Sequence, residues 1–139
     1  MPYPEMLVAP MRRELTALGV QEMKTAEEVE QVLGQPQGTA LLVVNSVCGC
    51  AARNARPAVA MALNGSEKKP ERLATVFAGQ DVDATAAARG YLHGYPPSSP
   101  AIALLKDGEV AFMLERHQIE GRTAEEIARD LAGAFQQHC

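Results

Sequence analysis

Apolar residues recur at helical spacing over residues 6–18, at Leu7, Met11, Leu15 and Leu18, and Gly19 ends the stripe. Thr25-Ala26-Glu27-Glu28 has the form of a capping box, with Thr at the N-cap and Glu three residues on. The helix it opens would bury Val29, Val32 and Leu33 and close at Gly34. Residues 41–45 are apolar up to Asn45, the pattern of a strand covered on both faces and so central in its sheet. A helix is predicted over 50–63, with Ala52, Ala55, Val59 and Ala62 on one face, then a polar loop through Lys68-Lys69-Pro70. Residues 73–78 read as a second strand and 82–92 as a short Ala-rich helix. Gly94-Tyr95-Pro96-Pro97-Ser98-Ser99-Pro100 is loop. Residues 101–106 and 109–115 flank Asp107-Gly108, a hairpin signal because both turn positions need positive φ. A second capping box, Thr123-Ala124-Glu125-Glu126, starts a last helix that buries Ile127, Leu131, Ala134 and Phe135.

Helix-linked strands followed by an antiparallel hairpin and a helix predict an α/β fold: a central mixed sheet flanked by helices on both faces, with an extra N-terminal helix. At 139 residues the chain fits a single domain, 1–139, with no periodic repeat. A net charge of -4 with 4% aromatic residues argues against a nucleic-acid groove. No apolar stretch approaches bilayer length and no targeting segment is visible, so the expected compartment is the cytoplasm, with no membrane partner.

Two of the three cysteines lie in one tripeptide, Cys48-Gly49-Cys50, directly after the central strand and at the start of a helix. In the cytoplasm a close cysteine pair is more often catalytic, redox-sensing or metal-binding than structural. A helix N-terminus offers unpaired N–H groups to a thiolate, which makes Cys48 the expected nucleophile. Cys50 stands close enough to resolve a Cys48 mixed disulfide, and Gly49, with no Cβ, eases the bend. In the rival mechanism a second free thiol molecule resolves the intermediate and Cys50 only tunes Cys48. Metal binding by Cys48, Cys50, His117 and Cys139 is a competing reading, weakened by the lack of a second Cys or His knuckle, and no metal ligand is assigned. A redox sensor without turnover is another.

The order of elements resembles a thioredoxin fold, whose cysteine motif sits where a central strand meets a helix. Ser99-Pro100 followed by Ala101-Ile102-Ala103-Leu104-Leu105-Lys106-Asp107-Gly108 resembles its cis-proline loop and hairpin, and Pro57 resembles the proline that kinks its active-site helix. The Cys-Gly-Cys spacing departs from the thioredoxin Cys-x-x-Cys. A narrower resemblance covers nearly the whole chain. Asn45-Ser46-Val47-Cys48-Gly49-Cys50-Ala51-Ala52, Arg56-Pro57, Arg116-His117-Gln118-Ile119-Glu120-Gly121-Arg122 and the terminal Cys139 are similar to segments of the bacilliredoxin family.

That resemblance implies a thiol–disulfide oxidoreductase that removes bacillithiol from S-thiolated cytoplasmic proteins, with a weak disulfide-isomerase activity as a further implication. Bacillithiol, a low-molecular-weight thiol, is then substrate or co-substrate, and no bound cofactor is needed. Pro100 with Ser99 would shape the substrate groove, and Arg53 and Arg56 would lower the thiolate pKa or pair with the malate carboxylates of bacillithiol. The alternative for either arginine is a solvated helix face. His117 is placed either at proton transfer or as an exposed strand-end residue. Cys139 is either a second resolving thiol or an incidental exposed one. The oligomeric state stays open.

Overall fold

All seven residues of Thr39–Asn45 are buried, so the apolar run read as a central strand is one. In the computed structural model, which describes residues 2–139, chain order begins with α1 (Glu5–Thr16), β1 (Gln21–Glu22), α2 (Ala26–Leu33) and β2 (Thr39–Asn45). A π-helical turn (Ala51–Ala55) leads into α3 (Arg56–Gly65), followed by β3 (Arg72–Phe77) and α4 (Val82–Arg89). The hairpin is β4 (Ala101–Lys106) and β5 (Glu109–Leu114), and the chain closes with α5 (Arg116–Ile119) and α6 (Ala124–His138). The sheet order is β1-β3-β2-β4-β5, with β1 and β2 parallel to β3, and β4 antiparallel to both β2 and β5.

Alternate residues of β2 serve two cores, as the period of a strand requires. Leu41 and Val43 join Ile102 and Leu104 beneath Val59 and Ala62 of α3 and Ile127, Leu131 and Phe135 of α6. Ala40, Leu42 and Val44 face the other way, against Val29, Val32 and Leu33 of α2 and Ala84 and Ala88 of α4. Leu41 and Leu42 are fully buried, and each such side chain contributes about 1.5–3 kcal/mol through removal from water. The mixed sheet covered on both faces therefore follows from one unbroken apolar strand. Asp107 and Gly108 have φ of 51° and 84°, the turn that this dipeptide predicts.

Three elements differ from the sequence reading. The two-residue β1 is polar and shows no period, and only its pairing with β3 makes it a strand. α5 is a single turn held by a capping box between Glu115 and Gln118, too short to show periodicity. The helix predicted over 50–63 is interrupted: Arg56 N–H bonds to Ala51 O, five residues back, before regular α-helix begins. Pro57 stands at this junction. It cannot donate to the Arg53 carbonyl, so the helical ladder is already broken where the wide turn occurs.

α1 is fixed by charge as well as by its apolar face. Arg12, buried to 7% exposure, pairs with Asp81 at 2.7 Å, Glu5 at 3.1 Å and Glu22 at 3.3 Å. Its guanidinium lies 5.4 Å from the Phe77 ring centroid, within cation–π range. Among the described residues no helix is long and apolar enough to cross a membrane.

Candidate active site

β2 and β3 run parallel, so the segments leaving their C-terminal ends lie at one pole of the sheet. The segment after β2 turns at once. Ser46 N–H donates to Asn45 Oδ1 at 2.9 Å, and Cys48 N–H donates to Ser46 Oγ at 3.1 Å. Cys48 O then accepts from Ala51 N at 3.1 Å and Ala52 N at 3.2 Å, starting the helix. The cysteine pair thus sits between a rigid strand end and the first helical turn, half-buried, with both thiols free.

The two sulfurs are not equivalent. Burial pushes the Cys48 thiol up, but hydrogen bonds from the Cys50 thiol, the Ser46 hydroxyl and the Ala51 and Cys50 N–H groups outweigh it. The pKa of Cys48 consequently falls below the ordinary thiol value. Cys50 moves the opposite way, raised by burial, by its bond to Cys48 and by the charge of Cys48. The cation of Arg116 works against that rise and the carboxylate of Glu120 adds to it. A thiolate beside a protonated thiol is the arrangement required for nucleophilic exchange followed by resolution.

The cis-proline loop closes one side. The Ser99-Pro100 peptide is cis, and Ala101, the next residue, pairs with Val44 on β2. Pro100 therefore stands at the strand end from which the cysteine turn departs. Arg116 of α5 ties the parts together. Its backbone N–H donates to Ser98 Oγ at 2.7 Å, its Nη1 reaches Ser99 O at 3.4 Å, and its Nε pairs with Glu120 at 2.6 Å. On the other side Arg53 is exposed and folds over Gly49: a Cβ built there would lie 2.7 Å from Arg53 Nη2. Gly49 matters for this close approach.

The remaining sequence candidates fall elsewhere. Arg56, expected at the thiolate or at a substrate carboxylate, is turned inward and 2% exposed. Its Nη1 donates to Asn45 Oδ1 and Ser46 O, both at 2.9 Å, and its Nε forms an ion pair with Glu14 at 3.1 Å, off the line of a hydrogen bond. It supports the cysteine turn from below, because a buried guanidinium must be paired and hydrogen-bonded. His117 is exposed on α5, beside the arginine that faces the cysteines. Cys139 is at the other pole. It bonds to Thr39, the first residue of β2, and lines a polar groove of about 910 Å³ with Lys106, Asp107 and Glu71. Cys48 lies beyond the opposite end of that strand, so Cys139 cannot be its intramolecular resolver. The same separation removes Cys139 from the other three candidate metal ligands, and the described residues hold no cluster of three metal-ligating side chains.

Ser46 and Arg116 lie in segments similar to the bacilliredoxin family, but the sequence assigns neither of them a site role. Ser46 carried a legible signal, a serine two residues before the first cysteine, which is the spacing of a side-chain turn. Arg116 did not, since its approach depends on where β5 returns the chain.

The profile of the disulphide isomerase family matches residues 3–139. A bacilliredoxin of Salinibacter ruber is 56% identical over 140 residues, covering 100% of this chain and 82% of that protein. A bacilliredoxin of Bacillus licheniformis is 54% identical over 137 residues, covering 99% and 95% respectively. The chain belongs to the bacilliredoxin family. The chain is also similar to a solved thioredoxin, that of Malassezia sympodialis, with a TM-score of 0.53 over 86% of this chain and 90% of that one, at 14% identity. That likeness shows the thioredoxin-like fold. Membership of this family, together with the fold, supports a thiol–disulfide redox role for the chain.

Proposed function

We propose that the protein removes bacillithiol from S-bacillithiolated cytoplasmic proteins. The Cys48 thiolate attacks the bacillithiol sulfur of the mixed disulfide. The old S–S bond breaks, the target cysteine leaves as thiolate and takes a proton from water, and bacillithiol is now joined to Cys48. Cys50, once deprotonated, attacks the Cys48 sulfur, forms the Cys48–Cys50 disulfide and releases bacillithiol as thiolate. Two equivalents of a reducing thiol, or one dithiol, then reduce the Cys48–Cys50 disulfide by two successive exchanges and leave as their own disulfide. The opposed pKa shifts of two thiols separated by a single glycine, at the end of β2, carry this reading. The exposed guanidinium groups of Arg53 and Arg116, flanking the pair, match the carboxylates of bacillithiol.

Intact-mass spectrometry tests it. Mixed with a bacillithiolated target, the reduced protein should gain one bacillithiol on Cys48 while the target thiol appears, and faster than with a glutathionylated target. Cys48→Ser should abolish transfer, and Cys50→Ser should accumulate the Cys48 adduct. No adduct and no Cys48–Cys50 oxidation would count against the reading. The disulphide isomerase family profile favours a second reading, in which the Cys48 thiolate rearranges protein disulfides. Reactivation of a scrambled disulfide protein by Cys50→Ser, without bacillithiol, would support it.

A further inference from the structure

Ser46 is 8% exposed and sits in the turn between β2 and the cysteine pair. Its hydroxyl oxygen accepts the Cys48 N–H at 3.1 Å, which leaves its own proton to donate. The turn places that oxygen beside Cys48, the residue two positions on, and the Ser46 hydroxyl acts on the Cys48 thiol. Among the described residues Ser46 Oγ donates to no protein oxygen. The backbone of Ser46 is pinned at both ends: its N–H by Asn45 Oδ1 at 2.9 Å, its carbonyl by Arg56 Nη1 at 2.9 Å. The same Arg56 nitrogen also holds Asn45 Oδ1 at 2.9 Å, and Asn45 Nδ2 donates to Met11 O of α1 at 3.3 Å. A fixed hydroxyl is therefore mounted on a fully buried guanidinium anchored in α3.

We propose that the Ser46 hydroxyl is the catalytic hydrogen-bond donor to the Cys48 sulfur during thiol–disulfide exchange, and that Arg56 is the positioning residue that holds it there. The inference rests on Cys48 being the exchanging thiol and is independent of which small thiol is transferred. The hydroxyl serves the reaction twice. Before attack it stabilises the Cys48 thiolate. Whenever Cys48 is expelled from a mixed disulfide, it receives the charge that returns to the sulfur. The lowered pKa of Cys48, to which the Ser46 hydroxyl contributes, agrees with this geometry. The charged or titratable groups that act on the cysteine pair besides are Cys50, Arg116 and Glu120, with Arg53 over Gly49.

The test is the pH profile of iodoacetamide alkylation at Cys48, followed by peptide mass mapping in the full chain. Losing a hydrogen bond to a charged sulfur should raise the Cys48 midpoint in Ser46→Ala by about one pH unit. Above both midpoints Ser46→Ala should react about threefold faster than wild type, because a more basic thiolate is the better nucleophile. Ser46→Thr, which keeps the hydroxyl, should restore the wild-type midpoint, and Arg56→Lys should raise it by a smaller shift than Ser46→Ala. A purely structural role for Ser46 predicts a lower plateau at every pH with no midpoint shift, and that result overturns the proposal. Should Ser46→Ala fail to fold, the wild-type chain supplies a second reading. Its Ser46 Cβ resonance should titrate with the Cys48 midpoint, and a flat response overturns the proposal equally. A wild-type Cys48 that does not alkylate would sink the exchange reading itself, an outcome distinct from an unshifted midpoint in Ser46→Ala.

Discussion

Cys48 and Cys50 are separated by one glycine, yet their thiols titrate in opposite directions, and the pH dependence of exchange follows from that. Cys48 is held below the ordinary thiol value, so its attack should reach half its maximal rate at a lower pH than an ordinary thiol and flatten above that midpoint. Cys50 is held above it, first by burial and then by Cys48, so resolution should keep rising about tenfold per pH unit where attack is already flat. Formation of the mixed disulfide relieves the repulsion from Cys48, but burial still opposes ionisation of Cys50. Stopped-flow traces with a bacillithiolated peptide from pH 6 to 10 separate the two phases, and a single shared midpoint would contradict the division of roles. Arg116 acts on the second phase. Its cation lowers Cys50, so Arg116→Gln should slow resolution at neutral pH by about twofold, an effect that added salt should diminish because the guanidinium is exposed. Equal resolution rates for variant and wild type at low salt would remove Arg116 from the site.

Three helices, α2, α5 and α6, are started by reciprocal side-chain caps, whose worth is measurable. Thr123 Oγ1 accepts Glu126 N–H at 3.1 Å while Glu126 Oε1 accepts Thr123 N–H at 3.2 Å, and Thr25 and Glu28 make the same reciprocal pair. Thr123→Ala should lower unfolding stability in urea by about 1 kcal/mol. α6 packs Ile127, Leu131 and Phe135 into the core shared with α3, so the loss should appear in the global transition rather than as local fraying. The helix that bears the cysteines has no such cap: Cys50 stands at the N-cap position without a side-chain bond, and the wide turn Ala51–Ala55 follows. The Ala51 and Ala52 N–H groups there bond to the Cys48 carbonyl, and the Cys50 and Ala51 N–H groups also act on the Cys48 sulfur, which ties the helix start to the thiol with the lowered pKa.

At the scale of the whole molecule, the groups of the candidate site gather at one pole of the sheet. The cysteine turn, the cis-proline loop and α5 converge there, joined by Arg116. The six steps of β2 from Thr39 to Asn45 separate that pole from Cys139 by about 20 Å at the rise of a strand. Cys139 is exposed, yet partial desolvation and the charge of Glu71 outweigh the help of Thr39, Lys106 and Lys68 and raise its thiol above the ordinary value. Cys139→Ser should therefore leave both phases of exchange unchanged in the same stopped-flow assay, and a slowed second phase would restore Cys139 as a resolver.

Much of this architecture was legible along the chain because it depends on local rules. Period and burial marked β2, reciprocal Thr and Glu pairs marked two helix starts, Asp107-Gly108 marked the hairpin, and the strand end located Cys48 and Cys50 at a helix start. Tertiary structure decided what depends on direction and distance. A side chain's path cannot be read from its position, so Arg53 and Arg56, three residues apart, diverge, one over Gly49 and the other into the core. Sheet topology brought Arg116 to the pair and carried Cys139 away, because strand length and crossover, not separation along the chain, set which residues meet. The difference between two chemically identical thiols likewise arises from burial, hydrogen bonds and neighbouring charges that only the folded chain assembles.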